Sequence, residues 1–276
     1  MDPVQIGELT FEPGREPLLI AGPCVLESED DALFIADRCA ELAREHGFLY
    51  VFKSSYLKDN RSSVDSYTGP GLEAGLRILE RVRDESGSPV LTDVHCREEV
   101  GPAAEVCDIL QIPAFLCRQT RLILAAAATG KPVNLKKGQF LSPEDMHNAV
   151  EKARMGGAPG VLVTERGSSF GYNNLVVDMT AFSRMRAAGA PVIFDATHSL
   201  QLPGGLGDRS GGRPQFAAAL ARAAIAAGAD GLFVETHPER LTCSCDAEVM
   251  LPLAELGGML RDTAAIFGLI HDDEQD

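Results

Sequence analysis

No apolar run in this sequence approaches the roughly 18 residues that a membrane-spanning helix requires, which argues against an integral helical membrane protein. The start, Met1 to Pro17, lacks a basic segment followed by an apolar one and carries Asp2, Glu8, Glu12 and Glu16 instead, so it does not read as a secretory leader. The cysteines have no small-domain disulfide spacing. They number seven, are scattered, and point to a reducing, cytoplasmic setting. Cations are scarce: 25 Lys and Arg stand against 40 Asp and Glu, a formal net charge of −15. Such a balance repels nucleic acid and anionic membranes, so neither is expected as a partner, and an anionic ligand must meet a local cluster of the few basic residues. No linker of Pro, Gly and Ser divides the chain and no internal repeat stands out. One domain over residues 1–276 is therefore expected, with a short N-terminal extension and an acidic tail, Asp272 to Asp276, that frays.

What is present is a rhythm. Eight short apolar runs begin near Leu18, Leu49, Val90, Ile109, Val133, Val161, Val192 and Gly231, most of them separated by enough residues for a helix. Some helical signals are explicit. Ser142-Pro143-Glu144-Asp145 reads as a cap, a first-turn proline and two acids ahead of Met146, Ala149, Val150 and Ala153, with Gly156 closing the helix. Ala32, Leu33, Ala36, Cys39, Ala40 and Ala43 form one stripe ending before Gly47, and Ala217, Leu220, Ala221 and Ala224 another ending before Gly228. Strands alternating with helices give a parallel sheet, and eight units predict a (β/α)8 TIM barrel, with an open doubly wound sheet as the alternative.

The polar residues fall where such a barrel keeps its chemistry. Gly22-Pro23-Cys24 follow the first run; Lys53, Ser55, Lys58, Asn60, Arg61 and Ser62 the second; Asp93 and His95 the third; Gln111 the fourth; Lys136 and Lys137 the fifth. Glu165 and Arg166 follow the sixth, Asp195 and His198 the seventh, Glu235 and His237 the eighth. All would share the rim at the strands' C-terminal ends. One charged residue past a strand is usually solvated loop, but eight such ends together imply an anionic ligand, and guanidinium and ammonium groups suit phosphate. The glycine-rich stretch Gly204 to Gly212 lacks Walker and GxGxxG spacing, which leaves a plain loop or a mobile lid.

In a closed barrel the seventh, eighth and first strands are neighbours, so Cys24, His198, Glu235 and Asp246 can converge. A thiolate, an imidazole and two carboxylates suit divalent Fe, Zn, Mn or Co. Spacing alone leaves simple packing of Cys24 open, since no HExxH or CxxC pattern supports a metal. Cys243 and Cys245 read as bystanders.

Several segments carry a specific resemblance: Lys58-Asp59-Asn60-Arg61-Ser62-Ser63, Gln111 to Thr120, Asn134-Leu135-Lys136-Lys137-Gly138-Gln139-Phe140, Thr164-Glu165-Arg166-Gly167, Phe170 to Asp178, and Asp195-Ala196-Thr197-His198-Ser199. From about Leu18 to Phe267 the chain resembles the 3-deoxy-D-manno-octulosonate 8-phosphate synthases. Gly22-Pro23-Cys24, Gln201 to Gly205 and Ser244-Cys245-Asp246 resemble the metal-dependent branch, whose metal-free counterpart carries Asn in place of Cys24. The resemblance implies a homotetrameric (β/α)8 transferase of lipopolysaccharide sugar synthesis that condenses phosphoenolpyruvate with D-arabinose 5-phosphate. It strengthens the metal quartet. It also implies Lys136 and Arg166 for the phosphoenolpyruvate phosphate, with Lys58, Ser55 and Gln111 for its carboxylate and Lys53 close by. Arg61 and Ser62 would take the aldose phosphate, with Arg118 reaching in from a neighbouring subunit. Asn60 and Asp93 would hold sugar hydroxyls, and together with His198 they are the candidate catalytic residues.

The chain departs from that pattern at Asp59, where a small residue is usual, and at Asp65 and Thr68, where basic residues are usual. Two rivals stand beside this reading. One is the related heptulosonate phosphate synthase, which uses erythrose 4-phosphate and has Lys-Pro-Arg-Thr-Ser at the position of Lys58 to Ser62. The other is a non-catalytic barrel that binds a phosphorylated sugar.

Overall fold

The structure, a computed structural model, describes residues 1–60, 66–205, 211–245 and 247–271. Each of the eight apolar runs forms a parallel strand: β1 (Leu18–Gly22), β2 (Leu49–Lys53), β3 (Val90–Asp93), β4 (Ile109–Ile112), β5 (Val133–Lys136), β6 (Val161–Glu165), β7 (Val192–Asp195) and β8 (Gly231–His237). Strands β1 to β7 pair in order, and β8 bonds to β7 on one side and β1 on the other, so the sheet is closed and the open-sheet alternative falls. Closure needs a close approach at its seam. A Cβ on Gly231, which pairs with Leu18, would lie 2.2 Å from the Leu18 carbonyl oxygen, so only glycine fits there.

Among the described residues eight α-helices surround the strands: α1 (Glu29–Glu45), α2 (Leu72–Ser86), α3 (Arg97–Val106), α4 (Thr120–Ala127), α5 (Met146–Met155), α6 (Ala181–Arg186), α7 (Ala217–Ala226) and α8 (Leu253–His271). Of the stripes read from sequence, Ala32, Ala36, Cys39 and Ala43 on α1 and Ala217, Ala221 and Ala224 on α7 are buried, while Leu33, Ala40 and Leu220 are half-buried against the same core. At α5 Ser142 caps as expected, its Oγ accepting the Asp145 N–H at 3.3 Å, but the first turns differ from an α-helix. The turns from Ser142 to Asn148 are wound with i to i+3 bonds, as in Met146 N to Pro143 O at 3.3 Å, so the α-helix proper begins only at Met146. Among the described residues no helix is long and apolar enough to cross a membrane.

Strand alternation sorts two cores. Outward residues such as Leu19, Phe52, Leu110, Leu135, Val163, Phe194 and Val234 pack against the helices. Inward residues Leu18, Ile20, Val51, Leu91, Ile109, Leu162, Ile193 and Phe233 fill the barrel with Val4, Ile6 and Phe11. Those last three come from an antiparallel hairpin, Val4–Ile6 with Leu9–Phe11, that the sequence reading did not foresee. Its two-residue turn places Gly7 first at φ 58°, a conformation that glycine takes without strain.

Candidate active site

On five strands the residue two beyond an apolar inward position is a charged or amide side chain. Lys53 follows Val51, Asp93 follows Leu91, Gln111 follows Ile109, Asp195 follows Ile193 and Glu235 follows Phe233, and all five are buried. Asn134 marks the transition: its Nδ2 donates to Gln111 Oε1 at 2.9 Å and its Oδ1 accepts from Thr164 Oγ1 at 2.8 Å. Above this layer opens a cavity of about 450 Å³. Of the expected site residues, Lys53, Lys58, Asn60, Asp93 and Gln111 line it from one side, and Lys136, Arg166, His198 and Glu235 from the other. Asp59, one of the departures, lines it too.

Lys53, Lys58, Lys136 and Arg166 share this small volume with the carboxylates Asp59, Asp93, Glu235 and Glu248. Glu235 Oε1 accepts from Lys53 Nζ at 3.1 Å and Lys58 Nζ at 3.5 Å, while its Oε2 lies 3.4 Å from His198 Nε2 and has no hydrogen-bond partner. Burial alone would raise the Glu235 carboxyl; His198, Lys58 and Lys53 overcome it and hold the group well below the ordinary carboxylate range. Asp93 follows the same logic, with burial outweighed by Lys53, His95 and Lys58. Lys58 is pushed the other way: burial lowers it, but Cys24 and Glu235 win, and its ammonium form is favoured. Lys136 donates to Asp195 Oδ2 at 2.5 Å and lies 3.6 Å from the centre of the Phe233 ring. Burial still brings its pKa below the usual lysine value.

Not every expected residue reaches the cavity. Ser55 stands behind it, its Oγ accepting from Lys53 Nζ at 3.1 Å and donating to Asp93 Oδ1 at 2.5 Å. Arg118 is exposed and does not line the cavity of its own chain. Arg61, Ser62 and Asp246 lie outside the described residues, as do Asp65 and the middle of the glycine-rich stretch, 206–210. Cys24 is buried with its Sγ turned to Cys245 Sγ at 2.8 Å, so Cys245 is no bystander in position. Burial, the contact with Cys245 and the charge of Glu235 together raise the Cys24 thiol well above its ordinary pKa. Among the described residues no three of His, Cys, Asp and Glu are grouped closely enough to hold an ion by themselves.

Sequence reasoning undervalued three groups. His95 lines the cavity; its Nε2 meets Asp93 Oδ2 at 3.1 Å, and Glu99 Oε2 accepts its backbone N–H at 2.7 Å. The shared parity of Asp93 and His95 was the available signal. Gln201 Oε1 accepts from Arg166 Nη2 at 2.9 Å and so helps to orient that guanidinium. Lys137 and Glu165, read only as part of the rim, lie buried beneath it. Lys137 Nζ is 3.5 Å from Glu165 Oε2 and donates to Gly167 O at 3.1 Å and Ser168 Oγ at 3.0 Å, tying together the loops that carry Lys136 and Arg166.

The DAHP synthetase I family matches residues 6–265. The chain is 54% identical over 274 residues to the 2-dehydro-3-deoxyphosphooctonate aldolase of Syntrophotalea carbinolica, covering 99% of each chain. It is 52% identical over 268 residues to the enzyme of that name from Trichlorobacter lovleyi, covering 97% of this chain and 98% of the other. A third relative of that name, from Acidithiobacillus ferrooxidans, is 54% identical over 253 residues, with coverage of 91% and 90%.

Proposed function

Because the chain belongs to the DAHP synthetase I family, we propose that its cavity condenses phosphoenolpyruvate with D-arabinose 5-phosphate and water, giving 3-deoxy-D-manno-octulosonate 8-phosphate and phosphate. The observation that carries the reading is the concentration of Lys53, Lys58, Lys136 and Arg166 around one cavity in a chain of net charge −15.

C3 of phosphoenolpyruvate attacks the aldehyde carbon, water adds at C2, and phosphate leaves by cleavage of the C2–O bond. Lys136 and Arg166 bind the phosphate of phosphoenolpyruvate. Gln111 gives its amide oxygen to Asn134, which leaves its N–H donors for the substrate carboxylate beside Lys58. Asp93, held ionised by Lys53 and His95, accepts from the sugar hydroxyls together with Asn60. Ser55 serves by fixing Lys53 and Asp93 rather than by touching substrate. Arg61 and Ser62 take the aldose phosphate. Holding both reactants in register contributes up to about 7 to 11 kcal/mol in ideal cases.

A divalent Fe, Zn, Mn or Co ion suits this donor set. Glu235 Oε2, buried without a hydrogen-bond donor and facing His198 Nε2, is what such an ion would satisfy. Cys24, His198, Glu235 and Asp246 would hold it, with the Cys24 thiol turning from Cys245 and deprotonating. When bound, the ion supplies Lewis acidity that polarises the aldehyde or acidifies water.

The working unit is a cytoplasmic homotetramer whose sites meet at subunit boundaries. Exposed Arg118 supports this, as do the exposed aromatics Phe115, Phe140, Phe170 and Tyr172 on the loops after β4, β5 and β6. Phosphate release is the test of the reaction. It is expected with arabinose 5-phosphate and phosphoenolpyruvate together; release only with erythrose 4-phosphate would assign the heptulosonate reaction, and none with either aldose would leave a binding protein.

A further inference from the structure

Asp195, the last residue of β7, is fully buried and spends both oxygens on different neighbours. Its Oδ1 accepts from the backbone N–H of His198 at 2.8 Å, the backbone N–H of Thr197 at 3.1 Å and Thr197 Oγ1 at 3.0 Å. Thr197 Oγ1 in turn accepts from the backbone N–H of Glu235 at 3.2 Å, which ties the end of β7 to β8. The carboxylate therefore cannot rotate, and its Oδ2 is fixed against His198 Nδ1 at 2.8 Å and Lys136 Nζ at 2.5 Å.

We propose that Asp195 is a positioning residue: it holds the proton of His198 on Nδ1 and presents Nε2 toward Glu235, and so sets the affinity of the site for its divalent cation. The proposal rests on the metal reading above. A carboxylate oxygen only accepts, so the ring nitrogen facing Oδ2 must carry the proton, and in the neutral imidazole the lone pair then lies on Nε2. That nitrogen faces Glu235 Oε2 at 3.4 Å, so once the ring is neutral both atoms can turn a lone pair to one cation. A carboxylate behind a ligating histidine both fixes its orientation and raises its basicity.

An Asp195→Asn substitution separates this role from mere packing. Three donors converge on Oδ1, so the amide oxygen must take that place and its NH2 must take the place of Oδ2. The amide would donate to Nδ1, move the proton to Nε2 and block ligation, as the wrong tautomer does in Asp-to-Asn variants of catalytic triads. Zn2+ affinity of the chelator-stripped full-length protein, measured by competition with a chromogenic chelator, should fall roughly 10- to 100-fold in Asp195→Asn. Lys136→Met removes the other donor to Oδ2 and an ammonium 3.4 Å from His198 Nδ1, yet His198 should still ligate through Nε2, since the carboxylate stays fixed by its Oδ1 donors. Nitrogen-15 spectra of the zinc-loaded wild-type protein should show His198 ligating through Nε2 with Nδ1 protonated, a readout that does not depend on how any variant folds. A folded Asp195→Asn protein with wild-type Zn2+ affinity, or ligation through Nδ1, would overturn the role of Asp195 and leave the metal reading standing. Failure of the wild-type protein to bind Zn2+, Mn2+, Co2+ or Fe2+ would remove both.

Discussion

At the end of the barrel where the strands begin, the inward side chains are Leu18, Val51, Leu91, Ile109, Leu162, Ile193 and Phe233, sealed from below by Val4, Ile6 and Phe11. Two residues further on, four of the same strand faces carry Lys53, Asp93, Asp195 and Glu235, equally buried. The lower end gains free energy from taking apolar surface out of water, about 25 cal/mol per Å². The upper end spends some of that gain on desolvating charges, which attract one another but rarely recover the full cost. The difference teaches that the apolar plug supplies rigidity to a charged ring that would not hold together by itself. Lys53 with Glu235 and Lys136 with Asp195 are then buried ion pairs held on a frame stabilised elsewhere.

The comparison breaks if substitutions at the two ends have the same consequence. At the upper end, Lys136→Met should lower kcat/KM by roughly 10²- to 10³-fold, the range found when one preorganised electrostatic contact is lost. The protein should stay folded, because Asp195 keeps His198 and Thr197 as partners. Steady-state kinetics beside a melting curve decide this; a protein that unfolds without a change in turnover per folded molecule would refute the division. At the lower end, Ile193→Ala should cost about 2 to 5 kcal/mol of stability in denaturant unfolding and leave kcat nearly unchanged below the transition. A large fall in kcat of the folded protein would mean that the plug shapes the site directly.

The eight strands were legible because each buried parallel strand is a short apolar run that ends on a charged or amide side chain, as Val51-Phe52-Lys53 and Ile193-Phe194-Asp195 do. The hairpin Val4–Phe11 was not legible, since its strands are three residues each and too short to show a period. Nor was the approach of Cys245 to Cys24, a contact between residues 221 apart that no local pattern encodes. Lys137 and Glu165 looked like rim residues because sequence gives distance along a strand but not the direction of a side chain beyond its end.

Two smaller effects sharpen the contrast. Arg118 belongs to the rim of its chain but not to its cavity, so mixed oligomers of Arg118→Ala and Lys136→Ala subunits should recover part of the activity that each lacks alone. No recovery after demonstrated subunit exchange would confine each site to one chain. His95 is the titrating member of the rim: burial lowers its pKa, but the hydrogen bond and charge of Asp93, with Glu99, raise it above the usual histidine value. Its contribution to stability is therefore complete below the unfolded pKa of about 6.5 and disappears as pH rises through the higher folded value. The stability difference between wild type and His95→Gln should accordingly shrink from pH 6 to pH 9; a difference that grows with pH would mean that His95 is buried neutral.

If the charged ring makes the cavity a site where phosphoenolpyruvate loses phosphate at carbon, the oxygen of its C–O–P bridge leaves with the phosphate. In a turnover with arabinose 5-phosphate and phosphoenolpyruvate labelled with oxygen-18 in that bridge, the released phosphate should carry the label, in an amount equal to that of the eight-carbon product. Release of unlabelled phosphate, or phosphate without a new carbon-carbon bond, would contradict that reading.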